Sequence, residues 1–261
     1  MRTKPDPTAA LVREVSPDLG DAQLTFVHRQ PVDIEIARRQ HDGYVGCLAS
    51  LGLDIVRLPP APEHPDGVFV EDAVVLIDSV AVLTRPGASS RRAEVGSVRA
   101  AVEARGLAVA SIEAPGTLDG GDILQIGQTV HVGRTTRTNQ AGIDQLTALV
   151  EPLGRHVIPV DVRDALHLKT AATALPDATI IACVDRVDVG AFAGREVIAA
   201  PEPAGANVLL FGDSVIVSAA APATAAIVRK RGFAVQTVEI TELEKAEAGP
   251  TCLTVLLPGR R

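Results

Sequence analysis

The chain has 261 residues, 46% of them hydrophobic, with 25 basic against 32 acidic side chains and a net charge of −7. That length buries a sizeable core, while the lack of any basic block, and the presence of only five Phe, one Tyr and no Trp, exclude a nucleic-acid or anionic-membrane binder. No apolar stretch approaches the roughly 20 residues of a membrane span, and the three cysteines, Cys47, Cys183 and Cys252, are spaced for neither a disulfide scaffold nor a zinc site.

The first fifteen residues lack the apolar run of a signal peptide, so a cytoplasmic location is expected. In chain order, residues 23–28 read as a strand and 33–51 as a helix. The helix runs through a glycine into LGLDIVRLP, which begins at Leu51. The same phrase of helix, Gly and strand returns at Arg105, Leu153 and Arg231, and more loosely at Ala193. Each Gly falls where a helix C-terminus favours a left-handed residue. Hairpins lie between these phrases: 73–76 with 80–83, 123–126 with 129–132, 169–174 with 178–184, and 207–211 with 215–218. A fifth hairpin needs both chain ends, and pairing 23–28 with 252–257 would close a ring. The hairpins start near Asp72, Asp122, Lys169, Asn207 and Cys252, at intervals of about 40–50 residues, a period typical of closed arrays of supersecondary units. A generic α/β sheet would also contain helix–Gly–strand units. No linker interrupts the chain, and 1–261 reads as one domain.

The functional signal lies at the hairpin entrances, which carry polar residues that their apolar continuations do not need. Asp66 and Glu71-Asp72 precede AVVLI, Asp119-Gly-Gly-Asp122 precedes ILQI, His167-Leu-Lys169 precedes TAATA, and Thr251-Cys252 precedes LTVLL. In a ring of repeats these positions converge at one end of the central channel. Taken singly, each also fits a turn or cap residue, and the two glycines fit a loop with positive φ. Cys47, on the first helix, and Cys183, in IIACV, are expected in the core. Cys252 follows Ala-Gly-Pro-Thr, where a loop can deliver a thiol into a cleft. A Cys with a His does not by itself specify a reaction.

The strings PDGVFVEDAVV, TRPGASSRR, TLDGGDIL, VGRTTRTNQ, LHLKTA and ELEKAEAGPTCLTV, in this order and spacing, resemble dimethylarginine dimethylaminohydrolases. These belong with arginine and agmatine deiminases to the guanidine-modifying pentein superfamily. The resemblance implies the pentein fold, a five-bladed α/β propeller of pseudo-repeated ββαβ-type units. It also implies hydrolysis of N-omega-methylated arginine to citrulline and an amine, with neither metal nor organic cofactor. Cys252 matches the nucleophile, His167 the general acid/base, and Asp119 the carboxylate that orients the His. Asp72 matches the residue that grips the guanidinium, and Asp66, with Glu71 beside it, the ligand of the α-amino group. Arg91 and Arg137 match the pair that holds the α-carboxylate, a task suited to a planar, permanently charged fork. Leu24 and Ala246 match positions that give backbone contacts, and 17–23 falls at a substrate-covering loop.

This chemistry needs a thiolate, because a guanidinium carbon is a poor electrophile, and carboxylates that hold the group planar over sulfur. An acidic pocket leaves the resting thiol protonated and lets the cationic substrate favour the thiolate. A deiminase acting on free arginine would use the same residues, although Arg91 and Arg137 argue against agmatine, which has no carboxylate. A non-catalytic amino-acid-binding domain would need no nucleophile. The expected partner is a small cationic amino acid, with a homodimer left open.

Overall fold

The computed structural model describes residues 7–259. Apolar residues at consecutive positions, rather than alternate ones, suit strands covered on both faces. The first strand, β1 (Pro7–Arg13), is of this kind, with its last five residues buried. Helix α1 (Ile34–Ser50) follows, capped by Asp33, whose carboxylate accepts from Ile36 N at 2.9 Å; β2 (Asp54–Leu58) then runs parallel to β1.

The next unit is an antiparallel hairpin, β3 (Val74–Ile77) and β4 (Val80–Leu83), then α2 (Val95–Glu103), then β5 (Ala108–Ser111) parallel to β4. The third repeats it with β6 (Ile123–Ile126), β7 (Thr129–Arg134), α3 (Gln140–Val150) and β8 (His156–Asp161). The fourth starts with a one-turn helix, α4 (Leu168–Ala171), then β9 (Ala172–Ala174), β10 (Ile180–Ala182) and β11 (Val197–Ala199), with only a 3-10 turn at Val189–Phe192 in place of an outer helix. The fifth holds β12 (Leu209–Phe211), β13 (Ser214–Ser218), α5 (Pro222–Lys230) and β14 (Ala234–Val238). After α6 (Thr241–Glu244), β15 (Val255–Pro258) pairs antiparallel with β1. Five three-stranded sheets result, a five-bladed α/β propeller whose first blade joins residues from opposite ends of the sequence.

The repeated glycine behaves as its position demands. Gly52, Gly106, Gly154, Gly194 and Gly232 all have φ between +75° and +91°, so each reverses the chain from its helix or turn into the outer strand. The double-sided burial is equally direct on β3. Val74 and Leu76 share a core with Val98 and Val102 of α2, while Val75 and Ile77 share the next with Ile143 and Leu146 of α3. Strand β3 is thus packed between two helices.

Two expected elements differ. Residues 23–28 form no strand; Phe26 and Val27 are exposed, and the ring is closed by β1, whose small and apolar Ala9, Ala10 and Leu11 fit between β15 and β2. Residues 169–174 begin as the helical turn α4, because His167 and Leu168 must bend toward the channel before β9 can start. Among the described residues no helix is long and apolar enough to cross a membrane.

Candidate active site

The entrances of the inner strands bring the chemistry together. Glu71 and Asp72 lie on the 3-10 turn Val70–Ala73, Asp122 on the 3-10 turn Gly120–Asp122 with Asp119 ahead of it, His167 ahead of α4, and Cys252 in the turn before β15. The glycines of Asp-Gly-Gly-Asp serve close approach, since neither has a positive φ. A Cβ on Gly121 would lie 2.5 Å from His167 Nδ1 and 2.9 Å from Asp72 Oδ1, and one on Gly120 would strike the Glu71 carbonyl.

His167 Nε2 lies 3.0 Å from Asp119 Oδ2 and 3.9 Å from Asp72 Oδ1. The other Asp119 oxygen accepts from Gly87 N at 2.8 Å, which fixes the carboxylate. Asp72 accepts from Gly121 N at 3.0 Å and from Arg91 Nη1 at 2.6 Å. Burial alone would push the imidazolium pKa down, but Asp72, the bond to Asp119, and Asp122 outweigh it and raise His167 to about 9. Burial works against Asp72 as well, yet His167 and Arg91 hold its carboxyl low. One atom each of Asp72, Asp119 and His167 lie within 4.8 Å of one another, a spacing a metal ion could share. Each is nevertheless engaged by hydrogen bonds from the others, from backbone N–H or from Arg91, and a neutral imidazole ligand conflicts with a pKa raised toward 9.

The turn that carries Cys252 is held on three sides. Tyr44 Oη donates to Pro250 O at 2.7 Å, Thr251 Oγ1 donates to Glu71 Oε2 at 2.8 Å, and Asn207 exchanges two bonds with Thr251. Gly249 N points at Cys252 Sγ, 3.4 Å away. Burial, then Glu71 and Asp72, push the thiol up to about 12, so it is protonated at neutral pH. His167 and Cys252 therefore both carry their protons at rest.

These groups line a small pocket of about 20 Å³ together with Asp66, Arg91, Arg137 and Ala246. Its roof is the segment after the 3-10 turn Leu19–Asp21. Asp66 accepts from Gln23 N at 3.1 Å, Arg137 donates to Gln23 Oε1 at 3.1 Å and Thr25 Oγ1 at 3.2 Å, and Glu247 accepts from Thr25 N and Phe26 N at 2.7 and 2.8 Å. Arg91 is committed inward: besides Asp72 it binds both oxygens of Glu94 and the carbonyls of Asp66 and Phe69. Two expected residues lie off this wall. Leu24 is in the roof segment, and Glu71 points away from Asp66, paired with Lys169 and lining a separate channel of about 150 Å³ under the site.

No family model matches the chain. It is 47% identical over 249 residues to the N(G),N(G)-dimethylarginine dimethylaminohydrolase of Streptomyces coelicolor, covering 95% of this chain and 96% of that protein. The chain belongs to the dimethylarginine dimethylaminohydrolase family. Two solved structures of the family superpose on it closely. One, an adduct of a histidine-to-glycine variant with S-methyl-L-thiocitrulline, gives a TM-score of 0.91 at 33% identity and covers 95% of this chain and 99% of that one. The other, a cysteine-to-serine variant from Pseudomonas aeruginosa complexed with citrulline, gives 0.90 at 32% identity, covering 96% and 99%.

In this member of the dimethylarginine dimethylaminohydrolase family, Gly87, Tyr44, Thr251 and Asn207 support the site without carrying a catalytic motif. Asn207 did have a signal. It opens the fifth hairpin, the position that supplies Asp72, Asp122 and Cys252 in other units.

Proposed function

We propose that this protein hydrolyses N-omega-methylated arginine, asymmetric dimethylarginine or monomethylarginine, to citrulline and dimethylamine or methylamine. The supporting observation is the placement of a buried thiol, a carboxylate-bound imidazolium and a cation-binding carboxylate around one pocket, in a chain 47% identical to a named dimethylarginine dimethylaminohydrolase. Asp72 grips the guanidinium and holds its carbon over Cys252 Sγ. The approaching cation favours the thiolate, the thiol proton passing to solvent, and the sulfur attacks that carbon. As the C–N bond breaks, His167, oriented by Asp119, gives its proton to the leaving amine, and a thiouronium remains on sulfur. Neutral His167 then takes a proton from water, hydroxide adds to the same carbon, and the C–S bond breaks to release citrulline.

Asp66 lines the pocket and takes the α-amino group, while Glu71, expected beside it, is paired with Lys169 and Thr251. Ala246 and Leu24 supply backbone contacts. No metal or cofactor enters the scheme, and the whole of 1–261 acts as one domain, supported by the β1–β15 closure. Three free cysteines suit a cytoplasmic location. Mass spectrometry of products from dimethylarginine, monomethylarginine and arginine tests the assignment. Citrulline with dimethylamine or methylamine is expected; ammonia released from free arginine with equal or greater efficiency would reject it in favour of a deiminase.

Arg137 and Arg91 grip the α-carboxylate, but unequally. Arg137 uses its fork on the roof and can transfer it to substrate, so Arg137→Ala should cost about 2 kcal/mol, roughly 30-fold in kcat/KM on dimethylarginine, and little on a dimethylguanidine lacking the carboxylate. Arg91→Ala instead leaves Asp72 and Glu94 buried without their partner, a loss of about 3–5 kcal/mol in folding stability. Thermal melts beside kinetics separate the two. Equal losses on both substrates for Arg137→Ala would remove it from the carboxylate site.

A further inference from the structure

The second acid of the Asp-Gly-Gly-Asp string is unused by the chemistry above, yet it is fully buried and bonded at both oxygens. Asp122 Oδ1 accepts from Leu168 N at 2.9 Å, the peptide that follows His167. Asp122 Oδ2 accepts from Thr138 Oγ1 at 2.6 Å and Thr135 Oγ1 at 2.7 Å. Thr138 Oγ1 in turn accepts from Asp119 N at 3.2 Å, and Thr135 Oγ1 accepts from Arg137 N at 3.1 Å. One carboxylate therefore ties together the backbones of His167, Asp119 and Arg137, which stand on three different stretches of chain. The polypeptide is drawn tightly around it: a Cβ on Gly133 would fall 2.5 Å from Asp122 Oδ1.

The geometry points to Asp122, acting through Thr138, as a positioning residue that sets His167 and Asp119 in the register their hydrogen bond needs. This rests on the reading of His167 and Asp119 as the acid–base pair. All three groups that Asp122 binds are donors, so only the ionised carboxylate satisfies them at once. Burial pushes its pKa up to about 6, against His167 and the two threonine hydroxyls, so it is ionised at neutral pH. An amide in its place would turn a donor toward two hydroxyls, and the Thr138 hydroxyl could no longer both donate to residue 122 and accept from Asp119 N. Asp122 also helps to keep His167 protonated. The other charged or titratable groups around that ring are Asp119, Asp72 with Arg91 behind it, and, across the pocket, Cys252 and Arg137.

The test compares Asp122→Asn, Thr138→Val, Thr138→Ser and His167→Gln. Asp122→Asn should lower kcat at least tenfold with KM within about threefold, and should move the His167 ring titration, followed by NMR, to lower pH. Thr138→Val should reduce kcat in the same way, and Thr138→Ser, which restores the bridging hydroxyl, should recover it. If Asp122→Asn fails to fold, the two Thr138 variants decide: a loss in Val with recovery in Ser supports the role, and a wild-type rate in Val overturns it. Folded Asp122→Asn with unchanged kcat, or with its whole loss in KM, also overturns it. His167→Gln separates the two levels. Full activity there rejects the acid–base reading and this role with it, whereas loss there with wild-type rates in Asp122→Asn and Thr138→Val rejects this role alone.

Discussion

Cys252→Ser should reduce turnover on dimethylarginine by on the order of 10³-fold or more, since removing a covalent nucleophile eliminates the pathway rather than weakening one contact. Three thiols exist in the chain, and only their surroundings distinguish them. Cys47 is on α1, away from the pocket wall, and Cys183 contacts Pro203 O beside the fourth blade. Cys252 shares its pocket with His167 and Asp72. Acid quenching during turnover should therefore trap an adduct of mass equal to substrate minus dimethylamine, and peptide mapping should place it on the C-terminal peptide containing Cys252. Cys47→Ser and Cys183→Ser should keep their turnover, with modest losses in stability. An adduct on either of those residues, or full activity in Cys252→Ser, would end the mechanism as written.

The second large effect is on pH. At neutral pH both His167, raised to about 9, and Cys252, raised to about 12, hold their protons. The transition state for attack keeps the imidazolium but has lost the thiol proton, so it carries one proton fewer than the resting enzyme. While attack limits the rate, kcat/KM should accordingly rise about tenfold per pH unit, roughly 100-fold between pH 6 and 8, and stop rising near the lower of the two values. A flat profile across that range would show that the pair does not rest as imidazolium and thiol. The raised His167 value also carries a stability consequence of definite sign. A group whose folded pKa lies above its unfolded 6.5 contributes stability that is complete below 6.5 and is lost as pH rises through 9, so this contribution to Tm should fall between about pH 7 and 10.

The repeat was legible because two signals coincide: a glycine forced to positive φ before each outer strand, and inner strands such as β3 whose consecutive apolar residues are covered on both faces. Ring closure differs from the sequence expectation because Leu24, Phe26 and Val27 look more strand-like than Pro7 and the two alanines of β1, yet small residues fit the crowded position between two strands. The placement of Cys252, His167, Asp119, Asp72 and Asp66 follows from repeat equivalence plus one short segment, and all five meet at one pocket. Side-chain direction was not legible. Glu71 and Asp72 are neighbours, but on a 3-10 turn adjacent side chains diverge, sending one to Lys169 and the other to Arg91. Arg91 likewise reads as a free clamp in sequence, and only the packing of Glu94 and two carbonyls around it reveals that it is also part of the wall.

The roof of the pocket is fastened by Asp66 and Arg137, the residues proposed to receive the α-ammonium and the α-carboxylate of an amino-acid substrate. A ligand that carries both an ammonium and a carboxylate replaces each fastening with a charge-assisted bond, which more than offsets the cost of opening. One that carries a guanidinium alone must break the fastenings with nothing to replace them. If the opened form is a fraction f of the population, the apparent dissociation constant of such a ligand is its intrinsic value divided by f. On the proposed roles of Asp66 and Arg137, discrimination between free amino acids and other guanidines includes a competition in which the protein's own Gln23 and Thr25 are the standing occupants.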